Sequence, residues 1–194
     1  MSRNTKIILA IGGVVLLLCI CVGSIALYFG VQAGQALQQA VVTNPDEVAT
    51  IANEIAEYDL PSGYDEQFGM SLFGFDLVVI APSPMGRNEL IMLMQFPASA
   101  GLSQAEMEAQ MRQNTQQQLG NRDIQFETVG QTTANIRDTE VTLTLSEGTS
   151  EDGTEVRQLM GVFPGKGGPT LLMIQGQVTD WDQARVDTFI ESIH

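Results

Sequence analysis

The feature that most constrains this chain is an uninterrupted, uncharged stretch of 25 residues, Ile7–Val31, which is rich in Leu, Ile and Val. A helix of this length measures about 37 Å, enough to cross a hydrocarbon layer of roughly 30 Å. Tyr28 and Phe29 lie at its distal end, where aromatic rings suit the membrane interface. The sequence therefore predicts a transmembrane helix at residues 7–31. Removing it leaves roughly 150 residues, the size of one ordinary domain.

Two alternatives to a permanent anchor remain open. A cleaved signal peptide has an apolar core of about 7 to 15 residues, and the core here is longer, although Val22-Gly23-Ser24 and Ser24-Ile25-Ala26 would serve as cleavage sites. Acylation at Cys19 or Cys21 is the second alternative, but neither cysteine follows the small residue that a lipoprotein signal requires. We expect an uncleaved anchor.

The distribution of charge predicts the orientation of the chain. Arg3 and Lys6 precede the stretch, and no basic residue follows it before Arg87. Because positive charge beside a span stays on the cytoplasmic side, residues 1–6 are expected in the cytoplasm and the C-terminal body outside it. This body contains no cysteine, so it must be stabilised by a packed core and not by internal disulfides.

The body is strongly acidic. All 23 acidic residues follow the stretch, with only seven of the nine basic residues. Phosphate backbones and anionic lipid head groups repel such a surface. We therefore expect no nucleic-acid partner, and a body that stands off the bilayer as a soluble module.

Three helices are predicted beyond an uncharged, Gln- and Ala-rich stalk at residues 32–43. The body, residues 44–194, begins with Asn44-Pro45-Asp46-Glu47, a cap followed by proline and acids, and a helix to about Tyr58. A capping box at Ser103–Glu106 begins a second helix that ends near Leu119. Asp180 is expected to cap the third.

Strand patterns separated by turn-forming clusters fill the rest of the body. They cover residues 67–75, 76–80, 89–96, 124–129, 132–136, 140–146, 155–163 and 170–177. The strand at 89–96 and the run Leu171–Ile174 are apolar on both alternating faces, so both sides of the sheet must be covered. The sequence therefore predicts an α+β domain in three layers, a mainly antiparallel sheet with helices on both faces.

The residues of common catalytic sites are scarce. The one histidine is His194, the last residue, and both cysteines lie in the predicted span. Ser–His–Asp and Cys–His catalysis and ordinary zinc sites therefore lack their side chains. A carboxylate-based hydrolase would need two facing acids in a cleft, and no spacing singles out a pair. We expect no enzyme, and we assign no catalytic, cofactor or metal residue.

Two loops invite a functional interpretation beside a structural one. Four acids, Glu147, Glu151, Asp152 and Glu155, surround one loop, which would bind calcium weakly or form a hairpin turn; the turn is favoured. Residues Gly165–Thr170 resemble a phosphate loop, but they lack its four-residue spacer and lead into a strand. We predict a tight turn there.

Methionine and tryptophan also carry two interpretations. Met92 and Met94 lie on one strand face, and Met160 and Met173 occur on strands that would neighbour it. Thioethers suit copper(I), but methionine is also an ordinary filler of cores, and the core is favoured. Trp181 would anchor a partner or pack against the sheet, and packing is favoured.

The order of elements resembles the PsbP-like superfamily over about residues 46–193. The residues that carry the resemblance are Tyr58–Tyr64 (Tyr-Asp-Leu-Pro-Ser-Gly-Tyr) at the entry to the sheet, Ser103–Glu106 at the central helix and Phe189–Ile193 at the last helix. That group includes photosystem extrinsic subunits and DcrB-like bacterial envelope proteins. The resemblance implies a role in binding other proteins or assisting assemblies, with no catalytic residue to carry over.

These observations predict a single-pass bacterial membrane protein, anchored in the lipid bilayer by its N-terminal helix. Its extracytoplasmic, non-enzymatic domain is expected to bind or support another envelope protein. The alternative is an extracytoplasmic sensor or carrier of a ligand or metal ion, either calcium or copper.

Overall fold

The computed structural model describes residues 41–83, 89–101, 106–107, 124–150 and 152–194. Val41–His194 forms one compact unit. In the described ranges no helix is both long enough and apolar enough to cross a membrane. The predicted span at 7–31, nearly all of the stalk at 32–43 and most of the predicted helix at 103–119 lie outside these ranges.

The described unit is built on one sheet of eight strands. In chain order the strands are β1 (Val41–Val42), β2 (Tyr64–Leu72), β3 (Phe75–Pro82), β4 (Leu90–Gln95), β5 (Gln125–Ile136), β6 (Thr139–Thr149), β7 (Glu155–Pro164) and β8 (Pro169–Gln177). Their order across the sheet is β1-β2-β3-β4-β8-β7-β6-β5. All neighbours are antiparallel, which confirms the predicted sheet type.

Two helices of the described unit can be given bounds. Helix α1 (Pro45–Ile55) begins as predicted, because the Asn44 side chain accepts a hydrogen bond from the Asp46 amide; it ends before Tyr58 because Ala56 is extended. Helix α2 (Gln183–Glu191) is capped by Asp182 and not by Asp180. The prediction of Asp180 was wrong because Val178–Asp180 forms a short 3-10 turn before the helix begins.

Both described helices pack on the same face of the sheet. Their buried apolar residues join those of seven strands, β2 to β8, in one cluster, whose larger members include Val48, Ile51, Ile55, Ile80, Leu93, Phe163, Leu172, Phe189 and Ile190. The helix predicted at residues 103–119 lies mostly outside the described residues. Within it the structure describes Glu106 and Met107, which are helical, and Met107 is buried.

Strand β5 is longer than predicted. Two strands, at 124–129 and 132–136, were expected with a break at Gly130. The structure has one strand instead, because the pairing with β6 shifts register between Thr128 and Gly130. The extra residue is absorbed as a bulge at Val129, so the strand continues through the glycine.

Candidate interaction site

A groove lies where the last strand of the sheet meets helix α2. Among the described residues, strand β5 pairs with β6 on one side and with no strand on the other. The groove has a volume of about 430 Å3. It is lined by Thr132, Thr133, Ala134, Asn135 and Leu143 from the sheet, and by Asp187, Ile190 and Glu191 from α2.

The packing of α2 determines which side chains reach this groove. Val186 and Phe189 are buried against the sheet and fix the rotation of the helix. Asp187 and Glu191, four residues apart, therefore share an exposed face at the open edge of the sheet. Asp187 also accepts a hydrogen bond from Gln183 Nε2 at 2.8 Å. The groove thus has an acidic rim.

The chemistry of the groove favours an extended, basic ligand. Its apolar wall comes from Ala134, Leu143 and Ile190, and the residues that line it include two acids and no base. An edge strand presents main-chain donors and acceptors to which another strand can pair. A segment that pairs with β5 would bring alternate side chains toward this wall and the carboxylates of Asp187 and Glu191.

An ion pair lies at one end of the sheet. The Glu89 carboxylate, only 4% exposed, pairs with the guanidinium of Arg185, which also lies 5.4 Å from the centre of the Tyr64 ring. Burial, together with the charge of Glu89, raises the pKa of Tyr64 to about 12. Burial lowers the pKa of Arg185, but the hydrogen bond to Glu89 and the charges of Glu89, Tyr64 and Asp182 together outweigh burial and raise that pKa. This cluster holds α2 against the sheet.

A polar network lies at the other end of the sheet. Gln95 accepts a hydrogen bond from the Gly167 amide at 2.6 Å. The β7–β8 turn that contains Gly167 also caps α1, since the Lys166 amide donates to the Ile55 carbonyl at 2.9 Å. Residues Gly165–Thr170 therefore form the tight turn that was predicted, and the amides of Lys166 and Gly167 form hydrogen bonds within the fold.

The acidic loop is a hairpin turn in which two of the four acids are already engaged. Glu147 accepts a hydrogen bond from Arg157 Nε at 2.8 Å. Asp152 accepts one from the Thr154 amide at 3.1 Å, and the Ser150 hydroxyl lowers its pKa. Glu151 lies outside the described residues. Across the described ranges, no three His, Cys, Asp or Glu side chains are grouped so that they could hold a metal ion.

The structure brings three of the four methionines together. Met92 pairs in register with Met173, and Met173 pairs with Met160, so the three lie in one row across β4, β8 and β7. All three are partly exposed. Gln158 Nε2 lies 3.1 Å from the sulfur of Met173. Met94 lies on the same face but in the next row, opposite Leu171.

Trp181 and His194 each make contacts within the fold. Trp181 is partly buried against the core, with the Arg157 guanidinium 5.7 Å from its ring centre. His194 exchanges two main-chain hydrogen bonds with Glu57, at 2.9 and 3.0 Å, so the end of the chain is tied to the segment after α1. Its imidazole is exposed.

The groove between β5 and α2 was not predicted. Thr132–Asn135 were predicted as part of a strand, and Asp187 and Glu191 were assigned no role. The edge position of β5 depends on pairings between distant parts of the chain. The sequence signal that could have indicated the acidic rim of the groove is the pair of acids at positions i and i+4 beside the apolar stripe of α2.

The comparisons with known proteins concern the fold. No protein-family model matches the chain, and no curated protein matches it. A solution structure of cyanobacterial PsbP (CyanoP) from Synechocystis sp. PCC 6803 is similar, with 15% identity and a TM-score of 0.42 over 73% of this chain and 92% of that one. LpqN, which is involved in cell envelope biogenesis of Mycobacterium tuberculosis, has 11% identity and a TM-score of 0.39 over 71% and 81%. One of these two structures is a PsbP protein, the kind of protein whose superfamily the sequence resembles, and both TM-scores lie below 0.5.

Proposed function

We propose that this chain is a single-pass protein of the bacterial envelope whose extracytoplasmic domain, residues 44–194, binds another envelope protein without catalysing a reaction. The uncharged stretch at 7–31 and the basic residues Arg3 and Lys6 support the anchor and its orientation. The observation that carries the binding role is the acidic-rimmed groove beside the open edge of β5.

The partner that fits this groove is an extended segment with alternating apolar and basic side chains. Main-chain pairing with β5 and burial against Ala134, Leu143 and Ile190 would supply most of the affinity. Exposed ion pairs to Asp187 and Glu191 contribute only about 0.2–1 kcal/mol each. They select basic over acidic segments, because like charges at an interface are strongly disfavoured.

Site-specific crosslinking in the membrane tests this role. A photoreactive amino acid replaces Thr133 in the full-length chain, or Thr179 as a control in the exposed turn before α2. We expect one recurrent envelope protein to be captured from position 133, with little capture from position 179. Equal capture from both positions, or capture of this chain alone, would contradict the proposal.

Charge variants make the test specific to the groove. Replacing Asp187→Asn and Glu191→Gln together should reduce capture from position 133 several-fold. The matched control, Asp65→Asn with Glu155→Gln, removes the same charge from exposed positions elsewhere. It should leave capture unchanged, whereas an equal reduction would show that only the net charge matters.

A second candidate function, transport or sensing of copper(I), is favoured by the row formed by Met92, Met173 and Met160. Directly opposed residues on neighbouring strands lie about 4.5–5.5 Å apart, and flexible thioethers at that spacing could converge on one soft ion. Titration of copper(I) against a coloured chelator should then show one bound ion, which Met173→Leu abolishes and Met70→Leu does not. If the unaltered chain binds no copper(I) in this titration, this second function is excluded.

A further inference from the structure

The turn between β2 and β3 exposes an aromatic ring on a strained backbone. Phe73 is 90% exposed, with φ +54°, and Gly74 follows with φ +80°. Positive φ at both central residues matches the type I′ hairpin turn, where Asn-Gly is preferred and a bulky residue is disfavoured. Neither the turn nor solvation favours a phenylalanine here. The exposed ring is therefore a candidate for a contact outside the fold.

Further apolar side chains stand beside this ring. Phe75 and Phe96 pack edge to face, with ring centres 5.4 Å apart. Pro97 closes against Gly74, since a β-carbon added at Gly74 would lie 3.1 Å from Pro97 Cβ. Phe75, Phe96 and Pro97 are each partly exposed. We call Phe73, Phe75, Phe96 and Pro97 the aromatic tip.

The chain enters the sheet at the same end as the aromatic tip. Val41 pairs with Met70 and Val42 with Gly69 in antiparallel register, so β1 begins on the side of Leu72 and Phe73. Val41 is ten positions after Val31, the last residue of the predicted span. Ten residues reach at most about 35 Å even when fully extended. Connectivity alone therefore keeps this end near any bilayer that holds the span.

Basic residues also lie at this end. The Arg137 guanidinium donates to the Pro164 carbonyl at 2.9 Å, and the Phe96 amide donates to the Pro169 carbonyl at 2.9 Å. The β5–β6 turn with Arg137 and the β7–β8 turn with Lys166 thus share the end of the sheet that carries the tip. Lys166 pairs with the Glu57 carboxylate at 2.8 Å, and Asp138 follows Arg137 in its turn, so the two cations offset these acids and limit the repulsion between this end and lipid head groups.

We propose that the aromatic tip inserts into the interface of the bilayer that holds the predicted span, and so orients the domain on the membrane. This inference rests on the proposed anchoring. The acidic body as a whole still stands off the lipid, and one end touches it. A weak contact suffices because a short tether holds the tip at an effective concentration on the order of millimolar.

Fluorescence quenching by lipid tests the contact in the full-length chain. The chain is reconstituted in phosphatidylcholine vesicles that carry bromine at shallow acyl positions. Trp181→Phe removes the natural fluorophore, and Phe73→Trp places a new one at the tip. The control is Val129→Trp in the same background, because Val129 is another exposed apolar residue, at the bulge of β5. We expect about twofold quenching at position 73 and little at position 129.

Each other result overturns the proposal. Absence of quenching at position 73 excludes insertion. Equal quenching at 73 and 129 means that the body lies on the bilayer without a preferred end. A blue shift at position 73 that grows with protein density, without quenching by bromine, identifies a second copy as the partner. Extraction of the chain by alkaline carbonate is measured in parallel, since release from the membrane would refute the anchoring itself.

Discussion

Gln95 and Asp76 face each other on neighbouring strands, and Gln95 Nε2 donates to Asp76 Oδ2 at 2.9 Å inside the core. Both side chains are buried. Asp76 also accepts from the Ser71 hydroxyl at 2.7 Å, and Gln95 accepts from the Gly167 amide. One amide side chain therefore joins the sheet to the turn that caps α1.

The first prediction concerns this amide. Gln95→Leu preserves the volume but leaves the Asp76 carboxyl and the Gly167 amide each short of a partner. Because a buried polar group without a partner is costly, the free energy of unfolding should fall by about 2–4 kcal/mol. Thermal and urea unfolding of the full chain in detergent measure this. Ser71→Ala, which removes one of the hydrogen bonds to Asp76, should cost only about 1 kcal/mol. Equal losses in the two variants would show that the network does not act through Gln95.

The second prediction separates a buried ion pair from an exposed one. Arg185→Met leaves the buried Glu89 carboxylate without its cation, so the free energy of unfolding should fall by about 2–3 kcal/mol. The loss is smaller than for a fully buried pair because Arg185 is partly exposed to solvent. Arg157→Met removes the more exposed pair with Glu147 and should cost about 1 kcal/mol or less. Unfolding of both variants under the same conditions decides the comparison. A larger loss for Arg157 would mean that its contact with Trp181 outweighs the buried pair.

The sequence predicts which segments form helices and strands better than it predicts which strands pair with one another. Asn44 and Pro45 mark the start of α1 locally, through a side-chain cap and a fixed φ. The pairing of Leu93 with Leu172, in contrast, joins β4 to β8 across 79 positions of the chain. No local pattern encodes that pairing.

The candidate sites follow from the same distinction. The alternation of Met92 and Met94 on one face is visible in the sequence, but the alignment of Met92 with Met173 and Met160 depends on the order of the strands. The groove at β5 could not be predicted for the same reason. Asp180 was predicted as the cap of α2, but Asp182 is the cap, because Val178–Asp180 forms a 3-10 turn before the helix begins.

The third prediction is a loss of stability in alkali. The pKa of Tyr64 rises from an ordinary value near 10 to about 12 on folding, because the ring is buried beside Glu89. The stability linked to this shift is complete below pH 10 and is lost as the pH rises from about 10 to 12. The midpoint of thermal unfolding should fall less steeply over that range in Tyr64→Phe than in the unaltered chain.

Tyr58 provides the second arm of this experiment. Burial, together with a hydrogen bond from its hydroxyl to Glu66 at 2.6 Å, raises its pKa as well. The double variant Tyr58→Phe, Tyr64→Phe should therefore show the smallest fall of the thermal unfolding midpoint with rising pH. Absorbance at alkaline pH should report delayed ionisation of both tyrosines in the folded chain. Identical slopes for all three chains would mean that neither ring is protected by the fold.

The last prediction concerns the strained turn. Phe73→Asn places a residue that tolerates positive φ at a position with φ +54°, so the free energy of unfolding should rise by up to about 1 kcal/mol. Gly74→Ala makes the opposite change: it adds a β-carbon at φ +80°, 3.1 Å from Pro97, and should lower stability by about 1 kcal/mol or more. Unfolding in detergent, where no bilayer is present, gives both values.

The sign of the Phe73 result distinguishes two origins of the exposed ring. A gain on Phe73→Asn would mean that the fold is more stable without the phenylalanine, so a contact beyond the domain must account for it. A loss of about 1 kcal/mol or more would instead mean that the ring packs against Phe75, Phe96 or Pro97 and stabilises the turn from within. Only the first outcome agrees with insertion of the tip into a bilayer.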